Sequence, residues 1–216
     1  MPRFVPATLL VAACGIPSSL AAELIESEAL PGASVPAGTT LKIEADHEKQ
    51  QLTSPTALTF DEKGRILITE THRFAEGIED DRAHLYWYLD DLASKTVADR
   101  RALHEKWKEK LPLEKMTAKS ELVRRLSDSN GDGTLDDSRV FEDGFNDVLD
   151  GTAAGIFAHD GSVYLACIPK LLMLRDGDDD GKADERKTIE EGFGVRVSLS
   201  GHDLNGFALG PDGRIY

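Results

Sequence analysis

An internal repeat constrains this chain more than any other feature. The segment 126–137, LSDSNGDGTLDD, returns 48 positions later as the segment 174–185, LRDGDDDGKADE. The same offset carries the Gly-Phe pair at 144–145 onto a second Gly-Phe pair at 192–193, so apolar flanks repeat with the acidic loop. A period between 40 and 50 residues is typical of stacked supersecondary units, and in a strand-rich chain it predicts a β-propeller with about four strands per blade.

A β-hairpin pattern recurs in step with the acidic loops. Residues 56–69 place an apolar run, an Asp/Gly turn and a β-branched run in succession, and residues 152–165 repeat that order. Residues 205–216 begin a third copy and end within its second strand. Such runs predict hairpins, so we expect an all-β fold: a partial β-propeller of about two and a half blades with a helical insertion.

An open arc of blades leaves strand edges without partners, which favours pairing with further strands. We therefore expect the sequence to be the N-terminal part of a longer protein with further C-terminal blades. The expected organisation is a signal peptide at 1–22, an N-terminal segment at 23–52 and the partial propeller at 53–216.

The stretch from about 74 to 120 interrupts the strand pattern. Residues 80–92 and 97–111 carry Leu and Trp at helical spacing among Ala, Glu, Lys and Arg, which predicts two helices ended by Pro112. Three consecutive aromatic residues, 86–88, stand at its centre. They either pack the insertion onto the propeller or wall a substrate cleft, as long insertions in loops often do.

The first 22 residues have the pattern of a secretory signal peptide. Arg3 precedes an apolar stretch, 4–13, and small residues follow before the first acidic residue. The segment 11–14, VAAC, also approximates a lipobox, in which Cys14 would carry a lipid anchor. Both alternatives predict export to the periplasm or cell envelope, with membrane contact only through the signal peptide or the lipid.

Composition limits the partners of the chain. The net charge is −14 and the isoelectric point is near 4.8. Binding to nucleic acid needs a surplus of Lys and Arg to neutralise phosphates, so we expect no nucleic-acid partner. An acidic surface suits cations and neutral substrates instead.

Cleavage of the signal peptide would leave one cysteine, Cys167. It lies in a strand-like run, 163–168, among apolar residues. We expect a small buried side chain rather than a reactive thiol.

Both acidic loops have the spacing of a cation-binding loop. Oxygen-bearing side chains stand at alternate positions, and Gly133 or Gly181 allows a sharp turn. The candidate ligands are Asp128, Asn130, Asp132, Asp136, Asp176, Asp178, Asp180 and Asp184. Calcium takes oxygen ligands in this D-x-[DN]-x-[DN]-G arrangement, so the loops predict calcium sites.

The calcium prediction has an alternative. Arg139 and Lys187 stand where an EF-hand has its bidentate Glu, which predicts weak affinity. An acidic turn without a cation would use the same Asp and Asn side chains to accept hydrogen bonds from local backbone amides.

The C-terminal stretch 201–216, GHDLNGFALGPDGRIY, resembles the pyrroloquinoline-quinone (PQQ) glucose and sorbosone dehydrogenase family of six-bladed propellers. In that family a His, a Gly-containing strand and G-P-D-G-x-[IL]-Y mark the active site. The resemblance implies that His202 is the general base that takes the proton of a substrate hydroxyl while hydride passes to PQQ. The alternative is a loop histidine that bonds to a neighbouring blade.

The wider sequence, about 34–216, is similar to the PVC-type haem-binding CxxCH proteins, also described as membrane-bound dehydrogenase domain proteins. The segments 55–65, 70–74 and 198–206 carry this resemblance. It implies an exported bacterial protein whose propeller precedes a c-type cytochrome module with haem c. This sequence has no CxxCH, and Gly201 stands where the soluble glucose enzymes often have an acidic residue.

Two functions follow as hypotheses. The first is the N-terminal part of an exported sugar or polyol oxidoreductase, with no PQQ-binding residue assigned. The second is a non-catalytic, calcium-stabilised propeller that binds carbohydrate or a partner protein.

Overall fold

The computed structural model of the chain describes residues 23–197 and 202–216. The predicted signal peptide with Cys14, and also Gly201, lie outside the described residues. Three antiparallel sheets account for most of the secondary structure, which confirms the all-β prediction. No helix within the two described ranges has the length and apolar character needed to cross a bilayer.

The N-terminal segment forms a small hairpin and one helical turn. Strands β1 (Leu24–Glu26) and β2 (Ser34–Pro36) pair with each other, and α1 (His47–Gln50) follows. The Asp46 side chain accepts a hydrogen bond from the Lys49 N–H at 2.8 Å and so caps the helix.

The first four-stranded sheet, sheet 1, is a meander. Its strands, in spatial order, are β3 (Pro55–Phe60), β4 (Ile66–Glu70), β5 (Glu121–Ser127) and β6 (Asp137–Phe145). In the β3–β4 turn the Asp61 carboxylate accepts from the backbone N–H groups of Lys63 and Arg65. Gly64 adopts a φ of 77° there, which a glycine reaches without strain.

The second four-stranded sheet, sheet 2, repeats that order. Its strands are β7 (Ala153–His159), β8 (Ser162–Cys167), β9 (Lys170–Arg175) and β10 (Glu185–Glu191). A third hairpin follows, in which Ala208 and Tyr216 exchange backbone hydrogen bonds of 2.9 and 2.8 Å. The hairpins expected near 56–69, 152–165 and 205–216 are therefore present.

The two sheets face each other across a shared apolar core. Strands β3 and β7 lie side by side, where the Thr56 hydroxyl donates to the Ala153 carbonyl at 2.6 Å. Core residues alternate along the strands, as half-buried sheets require. They are Leu67, Val123, Phe141, Phe145, Ala153, Ile156, Val163, Leu165, Cys167, Leu172 and Leu174. Cys167 is buried as predicted, and burial raises the pKa of its thiol well above the usual value.

The paired sheets have two chemically distinct ends. The hairpin turns 61–65 and 160–161 lie at one end together with both acidic loops, and we call this the loop end. The starts of β3 and β7 and the stretch 74–120 lie at the other, which we call the insertion end.

The insertion contains four short helical elements. They are a 3-10 helix (Asp81–Ala83), α2 (Tyr88–Ala93), α3 (Val97–Trp107) and α4 (Leu113–Met116). The first helix is shorter than the sequence predicted, because the chain turns after Ala83 and brings the Trp87 indole N–H to the Asp81 carboxylate at 2.6 Å. Trp87 is fully buried and Tyr86 packs on Trp107, so these two aromatic residues pack within the insertion.

Two buried groups of the insertion have pKa values shifted in opposite directions. Burial raises the pKa of Asp81 to about 6, and burial lowers the pKa of His104 to about 4. Between pH 3.8 and 6 the Asp81 carboxyl is ionised in the unfolded chain but still protonated in the folded one. Its burial therefore lowers the free energy of unfolding increasingly as the pH rises through this range. Burial of His104 costs stability increasingly as the pH falls from 6.5 to 4, where the unfolded chain gains a proton.

We expect Asp81→Asn and His104→Gln to change the pH dependence of the free energy of unfolding in opposite directions. In the parent, the relief of the Asp81 cost at falling pH partly offsets the growing cost of His104. Asp81→Asn removes this offset, so the free energy of unfolding should fall more steeply than in the parent as the pH drops from 6.5 to 4. In His104→Gln it should fall less steeply. Urea unfolding across this pH range measures both, and parallel curves for the three proteins would contradict the assignment.

A buried arginine fixes the insertion end. Arg73 follows β4 and is fully buried. Its guanidinium donates to the Met116 carbonyl at 2.8 and 3.1 Å, to Asp150 O at 2.7 Å and to Asp147 O at 3.0 Å. One side chain thus satisfies carbonyls from the insertion and from the connection between the sheets.

A buried carboxylate completes this arrangement. Glu121, the first residue of β5, accepts from the Thr71 hydroxyl and from the backbone N–H groups of His72 and Arg73. Its other oxygen accepts a hydrogen bond of 3.0 Å from the backbone N–H of Ala153, the first residue of β7. The carboxylate therefore joins sheet 1 to sheet 2 at the insertion end.

Candidate functional site

The second acidic loop brings three of its four predicted ligands together. The ligand oxygens of Asp176, Asp178 and Asp184 all lie within 4.8 Å of one another. The carboxylate of the fourth, Asp180, is not part of this group and accepts from the Lys182 N–H at 2.8 Å, whereas its backbone N–H donates to Asp176 and Asp178. Oxygens bound to one Ca²⁺ at about 2.3–2.6 Å can be no more than about 5 Å apart, so the triad has the dimensions of a calcium site.

Backbone amides hold the triad in place. The Gly181 N–H donates to Asp176 at 2.9 Å, and the Gly177 N–H donates to Asp184 at 2.6 Å. Gly181 has a φ of 97°, and a Cβ at that position would clash with the guanidinium of Arg125. A glycine is therefore required here both by the turn and by the close approach of Arg125.

The first acidic loop has the same backbone design with a different centre. Asp128 accepts from the N–H groups of Gly131 and Gly133 at 2.7 Å each, and these bonds, with that from Gly133 foremost, lower the pKa of its carboxyl. The Asn130 amide nitrogen donates to Asp132 at 3.1 Å and to Asp136 at 3.2 Å. An amide group thus bridges the carboxylates, and rotation of that amide would present its oxygen instead.

The second loop docks onto the neighbouring sheet. The Ala183 N–H donates to the Phe141 carbonyl of β6 at 2.8 Å, and Arg139 of β6 donates to the Asp180 carbonyl at 2.7 Å. Arg125 of β5, which is 6% exposed, lies 3.4 Å from Asp176. The loop of sheet 2 is therefore closed partly by residues of sheet 1.

Asp179 extends this contact to the β3–β4 turn. Its carboxylate lies 2.5 Å from both the Lys63 ammonium and the Arg65 guanidinium. The hydrogen bond from Lys63 and then that from Arg65 lower the pKa of Asp179 to about 2. The pairs are solvent-accessible, so their contribution to stability is modest.

A cleft of about 560 Å³ opens between the sheets at the loop end. Leu67 and Phe141 contribute apolar surface, while Arg125, Asp176 and His159 contribute polar groups. Sites for small ligands occupy roughly 300–1,000 Å³ and combine apolar walls with a few polar groups. The cleft has these dimensions and adjoins the acidic triad through Asp176.

His202 lies at the opposite end from the acidic loops. Its neighbour Asp203 accepts a hydrogen bond from the Thr152 N–H at 2.7 Å, one residue before β7 begins. His72, at the same end, lies 3.2 Å from the buried Glu70 carboxylate. The structure therefore does not combine the eight predicted metal ligands and His202 into one site.

Sequence reasoning missed two residues of this arrangement, Arg125 and Asp179. Arg125 had a visible signal, because an Arg-Arg pair interrupts an otherwise apolar strand pattern at 122–126. Asp179 had none, since an aspartate between alternate ligand positions looks like any other acidic loop residue. Its role depends on the β3–β4 turn, more than a hundred residues away in the chain.

Comparison with known proteins gives one match. The sequence model of a family described as "Domain of unknown function (DUF7133)" matches residues 26–216. No curated protein and no solved structure matches the chain.

Proposed function

The chain belongs to the DUF7133 family, and we propose that it forms consecutive blades of a calcium-stabilised β-propeller in an exported protein. The observation that carries the metal assignment is the triad of Asp176, Asp178 and Asp184, whose oxygens lie within 4.8 Å. Three carboxylates this close repel one another unless a cation or protons lie between them.

The arrangement of the sheets supports the propeller part of the proposal. Each sheet is a four-stranded meander, and their first strands lie side by side over a shared core. The third hairpin repeats this relation, because a Cβ at Gly155 of β7 would lie 3.1 Å from the Gly206 nitrogen. Sheets related by one repeated step around an axis are the construction principle of propellers.

The outer face of sheet 1 supports the same proposal. An apolar groove of about 230 Å³ runs along it, lined by residues that include Leu52, Leu58, Ile66, Ile68 and Leu126. Apolar sheet faces are normally covered, and in a ring of blades another sheet covers this one. Residues 42–52 cover it partly, with the Gln50 amide donating to the Leu135 carbonyl at 2.7 Å.

The loop-end cleft is the place for a ligand in this proposal. The cationic groups of the cleft, Lys63, Arg65 and Arg125, already pair with carboxylates, so a neutral polyhydroxylated ligand suits it better than an anion. Carbohydrate is such a ligand. A partner protein could use the same surface through its exposed polar groups.

We expect calcium to raise the thermal stability of the chain. At 5 mM Ca²⁺ and a dissociation constant of about 10⁻⁴–10⁻³ M, typical of extracellular modules, mass action adds about 1–2 kcal/mol. Asp178→Asn should remove most of this increment, because it removes one of the three carboxylates of the triad. Asp178 is exposed and asparagine has a similar shape, so the substitution should leave the fold intact. Thermal unfolding with and without calcium measures the effect.

The control for this experiment is sodium chloride at equal ionic strength, which screens charges without binding the triad. Asp143→Asn, an exposed carboxylate of β6 outside both loops, should retain the full calcium increment. An unchanged melting temperature in the parent protein with calcium would contradict the proposal, as would a full increment in Asp178→Asn.

A sugar or polyol oxidoreductase is the second candidate. The bond from Thr152 N–H to Asp203 favours it, since this bond holds the residue next to His202 at the start of β7. A neutral imidazole can accept a hydroxyl proton.

The quinone implied by the sequence resemblance finds no matching residues in the part of the chain described. PQQ bears carboxylates that need cationic partners. Three buried arginines of the insertion end, Arg73, Arg100 and Arg124, bind backbone carbonyls or the Glu70 carboxylate. We therefore assign no binding site for PQQ and keep His202 as a candidate base.

A further inference from the structure

Three aromatic side chains of the helical insertion lie in contact with one another, and we call them the aromatic cluster. The centre of the Tyr86 ring is 5.1 Å from that of Trp107 and 5.6 Å from that of Trp87. Trp87 is fully buried, whereas Tyr86 and Trp107 are partly exposed. The cluster therefore runs without a break from the surface of the insertion into its interior.

Both indole N–H groups of the aromatic cluster meet carboxylates. Trp87 donates to Asp81 at 2.6 Å, and Trp107 donates to Asp90 at 2.8 Å. An indole in a packed position needs a hydrogen-bond acceptor, and a backbone carbonyl would serve that need. The acceptors here are instead side chains that can take up a proton.

The tyrosine hydroxyl of the cluster meets a histidine that a carboxylate orients. His84 Nε2 lies 2.6 Å from Glu79 Oε2. An ionised carboxylate only accepts hydrogen bonds, so Nε2 carries the hydrogen of the neutral imidazole and Nδ1 is an acceptor. The Tyr86 hydroxyl donates to this Nδ1 at 3.1 Å. Phenol, base and carboxylate thus follow one another in hydrogen-bonded order.

This order favours the loss of one electron from Tyr86. A phenol that loses an electron becomes a strong acid, and a base within about 2.6–3.2 Å can receive its proton. Burial raises the pKa of Tyr86, and the charge of Glu79 adds to this effect, so the phenol keeps its proton until it is oxidised. The proton then passes to His84 Nδ1, where the Glu79 carboxylate stabilises the imidazolium.

A cation over the rings makes the release of the proton necessary. The Lys110 ammonium lies 4.5 Å from the centre of the Tyr86 ring and 5.0 Å from that of Trp107. It attracts a neutral ring, but it repels a ring that has lost an electron and kept its proton. An oxidised Tyr86 is therefore most stable as a neutral radical.

The two partly exposed rings differ in the strength of the base beside them. An imidazole is ordinarily a stronger base than a carboxylate. The hydrogen bonds from Lys106, at 2.7 and 2.8 Å, and then that from Trp107 lower the pKa of Asp90, which makes Asp90 a weak base. Of these two rings, Tyr86 therefore has the better proton acceptor.

We propose that Tyr86 is a redox-active tyrosine and that the aromatic cluster is a relay for single electrons. Tyr86 gives one electron to a one-electron metal oxidant at the surface and its hydroxyl proton to His84. The oxidant is reduced by one electron, the O–H bond breaks, and a neutral tyrosyl radical and an imidazolium remain. An electron from a neighbouring indole and the proton from His84 restore the phenol, and that indole releases its own N–H proton to the carboxylate beside it. The relay is independent of the calcium site and of His202.

Flash photolysis of the whole chain with tris(bipyridine)ruthenium and a sacrificial electron acceptor tests the relay. The photogenerated ruthenium(III) complex is a one-electron metal oxidant, and electron paramagnetic resonance identifies the radical that it produces. We expect a tyrosyl radical in the parent and a tryptophanyl radical in its place in Tyr86→Phe. An equal tyrosyl signal in these two proteins, or none in the parent, would overturn the proposal.

Tyr88→Phe is the matched control for Tyr86. Tyr88 lies in the same insertion and is exposed, but its hydroxyl makes no hydrogen bond within residues 23–197 and 202–216. This variant should keep the tyrosyl signal of the parent. Loss of the signal in Tyr88→Phe would place the radical on the wrong residue and refute the assignment.

His84→Phe tests the transfer of the proton. It keeps a ring beside Trp87 but removes the acceptor of the Tyr86 proton, so the tyrosyl radical should form at least about tenfold more slowly. In the parent, formation of the radical should be slower in D₂O than in H₂O, because a proton moves with the electron. A parent-like rate in His84→Phe, or no isotope effect in the parent, would contradict the role of His84.

Glu79→Gln keeps the test decisive if His84→Phe does not fold. The amide has nearly the shape of the carboxylate but lacks the charge that stabilises the imidazolium, so the radical should form more slowly than in the parent. Glu76→Gln is its control, since Glu76 pairs at the surface with Lys119 at 2.5 Å, and it should show the parent rate. Equal rates in Glu79→Gln and the parent would overturn the proposal.

Discussion

Arg73→Met is expected to unfold the protein or bring it close to unfolding. The substitution leaves the buried carbonyls of Met116 and Asp150 without their donor, and the Asp147 carbonyl keeps only its bond from the Asp150 N–H. A buried acceptor without a partner costs about 1–3 kcal/mol, so these two carbonyls alone account for a loss of about 2–6 kcal/mol. Domains of this size are stable by only about 5–15 kcal/mol, which makes such a loss large. Urea unfolding followed by circular dichroism measures it.

Two comparisons test this explanation of Arg73. Arg73→Lys keeps the charge but loses the planar guanidinium group with its several N–H donors. The free energy of unfolding of this variant should therefore lie between that of the parent and that of Arg73→Met. Arg101→Met removes a half-exposed arginine at the same end and should cost less than about 1 kcal/mol. An Arg73→Met protein within 1 kcal/mol of the parent, about the size of a single ordinary hydrogen bond, would show that the carbonyls find other donors.

The oxidoreductase candidate predicts that His202→Ala lowers the oxidation of a sugar or polyol by about 10²- to 10⁴-fold, the usual contribution of a general base. The assay supplies the protein with calcium and an artificial dye acceptor and reads turnover from dye reduction. The physical reason is that the substrate hydroxyl loses its proton acceptor, whereas substrate binding through other groups persists.

His47→Ala is the matched control for His202. His47 is an exposed residue of α1 and does not line the loop-end cleft. Its replacement should leave dye reduction near the parent value. Unchanged turnover in His202→Ala, or an equal loss in both variants, would remove His202 from the role of base.

Features of this fold that depend on residues close together in the sequence could be predicted, whereas features that depend on tertiary contacts could not. The hairpin at 56–69 and the burial of Cys167 were predictable, because alternation and turn residues are local signals. The prediction of one long first helix in the insertion was wrong. The hydrogen bond from Trp87 to Asp81 turns the chain at a place where helix propensity alone would continue the helix. Local sequence does not report such a contact.

The candidate sites show the same dependence on the distance between their residues in the sequence. The acidic triad of the second loop was foreseeable from spacing alone, because all its ligands lie within nine residues. The grouping of Arg73 with Met116 and Asp150 was not, since its partners are 43 and 77 positions away.

The docking of the second acidic loop onto β6 bears on the order in which the molecule assembles. Ala183 and Asp180 complete their hydrogen bonds only with Phe141 and Arg139, which belong to the other sheet. A cation that recognises the closed loop therefore binds after both sheets have met. Interactions formed that late slow unfolding and leave the folding rate nearly unchanged. The calcium proposal therefore predicts that calcium lengthens the lifetime of the folded state more than it speeds its formation.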